Sequence, residues 1–281
     1  MSNEKEAIIV IYTHKNINTQ EIIELKKRQT TYNDRIELLL NTLHNFKNNF
    51  LIRYNYPILI LCENYDDYDK QYITDTFESL TISFEDINPS IPEYLDKQEI
   101  TENIARKPVV HWRNLGYRHM CKFYAVDIFT HPIISTYKYY MRLDDDSVIT
   151  SPIPVNFFKF MTFHKIDYMY RVLQKKDCSI CNDGMNDFFK SLGHDFDYNS
   201  DLVPFNNFHI MSLDAVKNRN IFENRTIIYN IYNNRWGDAP LHGAYIKMYN
   251  LKAVCTENDK YTSFKYMKWG TEFPKNIYTI F

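Results

Sequence analysis

The sequence predicts an α/β protein built on an open, twisted, mostly parallel sheet flanked by helices. Residues 7–12 and 58–62 are short, continuous apolar runs of strand length, and the stretch between them carries apolar residues at helical spacing. This strand, helix, strand order favours parallel strands joined by right-handed crossovers. No linker rich in glycine, serine or proline interrupts the 281 residues, so we expect one domain over residues 1–281.

The first elements follow from apolar patterns. Residues 7–12 (AIIVIY) and 58–62 (ILILC) predict buried strands, and a helix between them should begin near Asn33 or Asp34 and run to residue 50. Residues 85–110 contain three prolines in "INPSIPEYLDKQEITENIARKP" and predict a long irregular connection over the surface. The helical face is formed by Ile36, Leu39, Leu40, Leu43 and Phe46.

The remaining elements lead to the polar stretches of the chain. Apolar spacing over residues 117–128 predicts a helix that leaves Arg118 and His119 on its other side. Residues 137–143, 166–171 and 208–211 predict strands, and three aspartates begin where the first of these ends. After "RWGDAP" a helix should begin, with Asp238 as its N-cap and Pro240 in its first turn.

Composition argues against several classes of protein. The net charge is −2 and the basic residues are dispersed, so we expect no nucleic-acid partner. The early apolar run is far shorter than a membrane helix, and acidic residues precede it, so we expect no membrane span and a cytoplasmic location. Five scattered cysteines agree with a reducing compartment, and the single C-x-x-C of Cys178 and Cys181 indicates loop thiols more than a zinc site.

Asp144, Asp145 and Asp146 form the densest group of carboxylates at a strand end. In an extended segment Asp144 and Asp146 would point to one side and Asp145 to the other. Two converging carboxylates suit Mn²⁺ or Mg²⁺, which also binds the phosphate oxygens of a substrate. The alternative is a solvated turn, in which these side chains bond to the local backbone.

Three blocks of sequence resemble family-15 glycosyltransferases, the fungal Golgi α-1,2-mannosyltransferases. "YRHMCKF" followed by a helix and "YYMRLDDD" resembles that family's YR-x-MCRF and YYWRVEPD. "NNFHIMSLD" is similar to SNFEI-x-x-LD, and "RWGDAPLH" is similar to RWGDAPVH. The resemblance implies a GT-A fold, a sugar-nucleotide donor such as GDP-mannose, Mn²⁺ (or Mg²⁺) and retention of anomeric configuration. It also implies a glycan or glycoprotein acceptor.

The resemblance assigns expected roles to residues of this chain. Asp144 and Asp146 fall on the family's metal-side carboxylates, and Asp238 would contact the acceptor or the transferred sugar. Tyr117 and Arg118 would lie near the donor, since a guanidinium suits phosphate oxygens, although Arg118 can also be read as a solvated helix residue. Strand-end positions, where ligands of open α/β sheets bind, complete the donor-binding set: Tyr12, His14 and Asp145.

Two departures from the family pattern leave alternatives open. His209 replaces the glutamate of SNFEI, so this catalytic candidate has an imidazole where the family has a carboxylate. No histidine follows His242, which is more simply a structural residue than a metal ligand. A non-catalytic carbohydrate-binding or nucleotide-binding module is therefore the main alternative to a mannosyltransferase, and a metal-dependent phosphoesterase is a weaker one.

Overall fold

The computed structural model describes residues 5–15, 35–106, 115–173, 184–217, 219, 221, 224–257 and 261–268. The chain divides into two compact units. The first unit contains residues 7–88, 141–160 and 256–281, and the second contains residues 1–6, 89–140 and 161–255. The single domain over residues 1–281 stays a prediction.

Within its described residues the chain forms nine strands and eight α-helices. The strands are β1 Lys5–His14, β2 Ile58–Glu63, β3 Ile82–Asp86, β4 Tyr137–Leu143, β5 Ser147–Ile149, β6 Tyr168–Leu173, β7 Pro204–Ser212, β8 Ala253–Cys255 and β9 Tyr266–Lys268. The helices are α1 Arg35–Phe46, α2 Asp67–Thr76, α3 Lys97–Arg106, α4 Leu115–Ala125, α5 Phe157–His164, α6 Met185–Ser191, α7 Arg225–Asn233 and α8 Asp238–Met248.

The first unit contains the parallel part of the sheet that the sequence predicts. β1 pairs with β2, and β2 pairs with β3, all parallel, and residues 8–11 of β1 are almost fully buried. A π-helical turn, Lys47–Leu51, extends α1. Strands β5 and β9 form a separate antiparallel pair. The carboxyl ends of β1, β2 and β3 share one edge, which is where open α/β sheets bind ligands.

The second unit combines strands of both directions with five whole helices, α3, α4, α6, α7 and α8, of which α7 packs on α3 and α4. β7 pairs with β6 antiparallel, and β6 pairs with β8 parallel. α8 packs on α4 and on β7. An added Cβ at Gly243 of α8 would stand 2.4 Å from the carbonyl oxygen of Leu202, so a glycine lets α8 approach the segment that enters β7.

The predicted fold class is confirmed: seven strands, all except β5 and β9, belong to a mixed, mostly parallel sheet with flanking helices. The predicted strands and helices are present within a few residues of their expected positions. The irregular connection over residues 85–110 is wrong in part, because β3 reaches Asp86 and α3 occupies Lys97–Arg106. The C-x-x-C thiols lie outside the described residues.

Candidate functional site

The three aspartates lie in a tight turn, and not in an extended segment. β4 ends at Leu143, and the backbone N–H of Ser147 donates to the carbonyl oxygen of Asp144 over 3.1 Å. The alternation of side chains that holds along a strand therefore ends before Asp144. The argument that placed Asp144 and Asp146 on one face by strand geometry is wrong.

Asp145 is a buried anchor within the first unit. Its carboxylate is 2% exposed and accepts from the Thr13 hydroxyl at 2.6 Å, from Arg35 Nε at 2.8 Å and from Arg35 Nη2. Burial alone would raise the pKa of Asp145, but the charge and hydrogen bonds of Arg35 outweigh it and hold that pKa below its usual range. Both oxygens bond within the protein, so this geometry argues against the expected donor contact and gives Asp145 a structural role.

Helix α1 also holds the backbone of the turn. The hydroxyl of Thr42, which is 1% exposed, lies 2.7 Å from the carbonyl oxygen of Asp145 and 2.8 Å from that of Ser147. The Ser147 hydroxyl lies 2.7 Å from the hydroxyl of Tyr266 on β9. These contacts fix the path of the chain on both sides of Asp146.

Asp144 and Asp146 stand at the more open part of the turn, where both are partly exposed. Arg142 Nε donates to Asp144 Oδ1 at 2.8 Å. In the part of the chain that the structure describes, no group of three or more His, Cys, Asp or Glu side chains could hold a metal ion. The residues therefore fit a cation bound by one or two carboxylates together with substrate phosphates, and do not fit a closed protein cage.

Side chains at the carboxyl ends of β1 and β2 form a polar border beside this turn. Tyr12, near the end of β1, donates its hydroxyl to Glu63 Oε1 at 2.8 Å at the end of β2. His14 is the last residue of β1 and is partly exposed. Lys15 Nζ bonds to Asp69 over 2.8 Å. Glu63 was not singled out from the sequence, although its position after an apolar strand was the available signal.

Asp238 lies in a second polar cluster, within the second unit. It is the first residue of α8, with Gly237 at the N-cap, so the expected N-cap role for Asp238 is wrong. The carboxylate is 3% exposed and accepts from Asn206 Nδ2 at 2.8 Å and from the Cys121 thiol at 3.4 Å. Burial, and then the nearby Asp238 carboxylate, raises the pKa of Cys121 to about 12, so this thiol keeps its proton and can donate it.

Arg118 is buried on α4 instead of lying on a solvated helix face. It is 1% exposed, and its Nη1 donates to the carbonyl oxygen of Ile231 at 3.3 Å. Among the described residues its Nε has no hydrogen-bond partner. Burial lowers its pKa to about 10, which still leaves it charged at neutral pH. Neighbouring Tyr117 is partly exposed, and the Cζ atom of Arg235 lies 5.3 Å from the centroid of its ring.

His209 and His242 are core residues with no exposed surface. His209 Nδ1 lies 2.9 Å from the carbonyl oxygen of Asn206, which can only accept, so Nδ1 carries the proton and Nε2 accepts from Tyr140 at 2.8 Å. By the same reasoning His242 Nε2 donates to the Tyr124 carbonyl, and its Nδ1 accepts from a tyrosine hydroxyl. This geometry argues against the catalytic role expected for His209 and agrees with a structural His242.

Comparison with known proteins gives a consistent set of relatives. A family model described as glycolipid 2-alpha-mannosyltransferase matches residues 13–222. The probable mannosyltransferase MNT3 of Candida albicans is 25% identical over 241 residues, which cover 77% of this chain and 63% of that protein. The alpha-1,2 mannosyltransferase KTR1 of Saccharomyces cerevisiae is 23% identical, with 73% of this chain and 58% of that protein covered. The chain thus spans less than two thirds of these relatives.

Two solved structures share the fold. Core-mannan synthase A from Aspergillus fumigatus, solved in an Mn/GDP form, has a TM-score of 0.73 at 16% identity and covers 95% of this chain and 75% of that one. The mannosyltransferase Ktr4p from S. cerevisiae, in complex with GDP, has a TM-score of 0.69 at 19% identity, with 90% and 68% covered. These matches confirm the expected GT-A fold.

The cytoplasmic location expected from the sequence is wrong. The relatives are Golgi mannosyltransferases, which are lumenal type II membrane proteins. The expectation was based on the short apolar run and the acidic residues near the start of the sequence, and these features do not determine where a protein is located. Across the described residues, no helix has the length and apolar character needed to cross a bilayer.

Proposed function

The chain belongs to the glycolipid 2-alpha-mannosyltransferase family, and from this we propose that it transfers mannose from a nucleoside-diphosphate sugar to a hydroxyl of a glycan or glycoprotein. The observation that carries the proposal is the family match over residues 13–222, which contains the aspartate turn and the buried partners of Asp238. GDP-mannose is the favoured donor, because two structural neighbours were solved with GDP.

On the donor side, Asp144 and Asp146 would hold Mn²⁺ or Mg²⁺ against the diphosphate. Such a cation would offset the charge that develops on the departing diphosphate. Arg35, Thr13 and Thr42 contribute indirectly, because they fix the turn that carries both carboxylates. The support for this arrangement is the partial exposure of Asp144 and Asp146 beside a rigid backbone.

The remaining donor contacts are proposed from position and chemistry. Tyr12, His14 and Glu63 stand at the carboxyl ends of β1 and β2, where a nucleoside would meet hydrogen-bonding side chains. Tyr117 and Arg118 are proposed to contact the phosphates, which is supported by the charge that Arg118 keeps at neutral pH and by the partial exposure of Tyr117. A guanidinium with few protein partners suits an anionic ligand.

On the acceptor side, Asp238 would contact the attacking hydroxyl or the transferred sugar. Its carboxylate is oriented by Asn206 and Cys121, so a substrate hydroxyl would meet a group of defined position. His209 is buried and cannot serve as the family's carboxylate. We therefore propose retaining transfer on one face of the sugar, without a covalent intermediate at position 209.

The first experiment is thermal unfolding of the purified protein with GDP, UDP or GDP-mannose, each with and without Mn²⁺. Ligand at about 100 times its Kd adds roughly 2.7 kcal/mol to the unfolding free energy and raises Tm by several degrees. We expect a shift with GDP and Mn²⁺ together that Asp146→Asn abolishes. The same samples are then assayed for mannose transfer to a methyl α-mannoside.

Two results would change the proposal. A thermal shift without any turnover favours a non-catalytic nucleotide-binding module, which the burial of His209 at the family's glutamate position makes the second candidate. A transfer rate and Mn²⁺ dependence that survive Asp146→Asn would remove Asp146 from the metal site.

A further inference from the structure

We propose that Asn206 positions the Asp238 carboxylate for transfer, and that His209 acts on the reaction through Asn206. Here Asn206 and His209 are positioning residues, since neither is assigned a contact with substrate. The inference rests on the proposed function, in which Asp238 contacts the acceptor or the transferred sugar. It gives a role to a residue at which this chain departs from the family pattern.

Strand β7 contains a bulge opposite β6. In the ladder with β6, Tyr170 lies opposite His209 and Val172 lies opposite Phe205. Two steps along β6 therefore correspond to four steps along β7, and the extra residues fall in the segment 206–208. A bulge bends its strand and re-aims side chains, and bulges are frequent beside active sites. This bulge carries Asn206.

His209 forms a hydrogen bond across the bulge. Its Nδ1–H donates to the carbonyl oxygen of Asn206 at 2.9 Å, three residues back along the same strand. The hydroxyl of Tyr140 on β4 donates to Nε2 at 2.8 Å, and the ring stacks on Tyr168 with centroids 5.3 Å apart and planes 8° apart. The imidazole is thus held from three sides, and it holds the backbone of Asn206 in turn.

The side chain of Asn206 in turn forms a hydrogen bond with Asp238. The Asn206 side chain is 6% exposed and donates Nδ2–H to Asp238 Oδ2 at 2.8 Å. The Cys121 thiol donates to the other oxygen at 3.4 Å. The close approach of Gly243 to Leu202 brings α8 against the chain just before β7, four residues ahead of Asn206. Each oxygen of the carboxylate is therefore oriented by a different element.

A glutamate at position 209 could not replace this contact. An ionised carboxylate has no proton to donate, so it would face the carbonyl oxygen of Asn206 as a second acceptor. Glutamine retains an N–H donor and an acceptor oxygen, and phenylalanine fills much of the space with neither. These three substitutions separate hydrogen bonding from the presence of charge at position 209.

The main test measures mannose transfer from GDP-mannose with the full chain. A shift of about 1 Å at a reacting group costs on the order of 100-fold in rate. We expect Asn206→Ala to lower kcat by about 10- to 100-fold while KM for the donor changes less than about 2-fold. The matched control is Asn186→Ala, which removes a hydrogen bond of the same 2.8 Å length from a side-chain amide to Asp197 in the same unit, together with the one that Asn186 Oδ1 accepts from the Tyr198 N–H. This variant should leave kcat unchanged.

A second variant covers the case in which Asn206→Ala does not fold. Asn206→Asp keeps the shape but replaces the donor by a carboxylate beside Asp238, and two neighbouring carboxylates raise one another's pKa. We expect the acidic limb of the pH–rate profile to move to higher pH, which a purely structural role would not produce. An unchanged kcat and pH profile in folded Asn206 variants would overturn the role of Asn206.

The role of His209 is tested by non-additivity. We expect His209→Phe to lower kcat at least 10-fold, His209→Gln to recover to within about 3-fold of wild type, and His209→Glu to show no recovery. Adding His209→Phe to Asn206→Ala should cost little more than Asn206→Ala alone, because both changes act on one contact. A double variant whose loss is the product of the two single losses would overturn the proposal for His209.

Failure of the proposed function can be told apart from failure of this inference. If the wild-type protein transfers no mannose, the function fails, and the contact is then tested by thermal unfolding of Asn206→Ala, Asp238→Ala and the double variant. Coupled residues should give a double variant whose loss of Tm is smaller than the sum of the two single losses. Fully additive losses would overturn the positioning contact as well.

Discussion

Two buried aspartates in this chain are held by different chemistry. Asp145, in the first unit, accepts from the guanidinium of Arg35 and the hydroxyl of Thr13. Asp238, in the second unit, accepts from the amide of Asn206 and the thiol of Cys121. Both are almost fully excluded from solvent, at 2% and 3% exposure. The guanidinium of Arg35 is a charged donor, whereas the Asn206 amide and the Cys121 thiol are neutral donors.

This difference distinguishes a structural carboxylate, Asp145, from one that can act on a substrate, Asp238. A guanidinium that bonds both oxygens of a carboxylate balances its charge, and so Asp145 can hold a turn without attracting further cations. The amide of Asn206 and the thiol of Cys121 are neutral donors, so these two contacts orient the Asp238 carboxylate without themselves balancing its charge. Asp145 is thus the structural carboxylate of the turn, and the more exposed Asp144 and Asp146 are the proposed ligand-binding residues.

The largest effect should come from removing the charged partner of Asp145. Arg35→Ala leaves a carboxylate buried without its counter-ion, and the loss of one partner of a buried ion pair costs about 3 kcal/mol or more. Urea unfolding should show this decrease in the free energy of unfolding. Asn206→Ala should cost less, about 1.5 to 3 kcal/mol, because it removes one hydrogen bond to a charged group and strands no counter-ion.

The matched control adds Asp145→Asn to the Arg35→Ala variant. Because this change removes the stranded charge, we expect the double variant to be more stable than Arg35→Ala alone. If the two proteins unfold at the same urea concentration, the charge pair is not what holds the turn, and the contrast between the two aspartates fails.

The sequence predicted elements whose apolar pattern is strong and missed those whose pattern is weak. β1, β2 and α1 are buried along continuous runs or one helical face, and they were placed to within a few residues. β3 is half-buried, so it lacks an uninterrupted apolar run. α3 is polar over most of its length, and Ile100 is its one fully buried apolar residue among those described. The three prolines of residues 85–110 therefore predicted an irregular connection more strongly than these weak apolar patterns predicted a strand or a helix.

The carboxylates of the site were predictable, but their partners were not. Asp144, Asp146 and Asp238 stand in short motifs that can be recognised locally. The partners lie far away in the chain: Arg35 is 110 residues from Asp145, Thr13 is 132 residues from it, and Asn206 is 32 residues from Asp238. Such pairs are brought together by strand order and helix packing, which one sequence does not reveal. The same limit explains why buried His209 was interpreted as catalytic.

A buried histidine of the second unit and Asp145 of the first unit should also respond to pH in separate windows. Burial, and then the charge of Lys122, lowers the pKa of His119 in the second unit to about 4. Between about pH 6.5 and 4 the unfolded chain binds a proton that the folded chain does not, so stability falls as pH decreases, by at most about 1.4 kcal/mol per pH unit. The lowered pKa of Asp145 makes its contribution present above the unfolded pKa and lost as pH falls through the folded pKa.

Urea unfolding between pH 7 and pH 3 checks both windows with one variant for each. His119→Gln should flatten the decline between pH 6.5 and 4 and leave the region below pH 4 unchanged. Asp145→Asn should do the reverse. If one substitution flattened both windows, His119 and Asp145 would not titrate independently, and the assignment of one pH window to each residue would be wrong.

The smallest effect tests how much of the Asp145 anchor depends on charge. Thr13 is 1% exposed and donates to Asp145 at 2.6 Å, while its oxygen lies 3.2 Å from the Tyr65 hydroxyl, which can donate to it in turn. Thr13→Val keeps the shape and should cost about 1 kcal/mol in urea unfolding, because Arg35 still balances the carboxylate. In the Arg35→Ala background the same change should cost more, since the hydroxyl is then a main donor to a buried charge. Equal costs in both backgrounds would mean that Thr13 and Arg35 stabilise the turn independently, through shape and packing more than through the carboxylate they share.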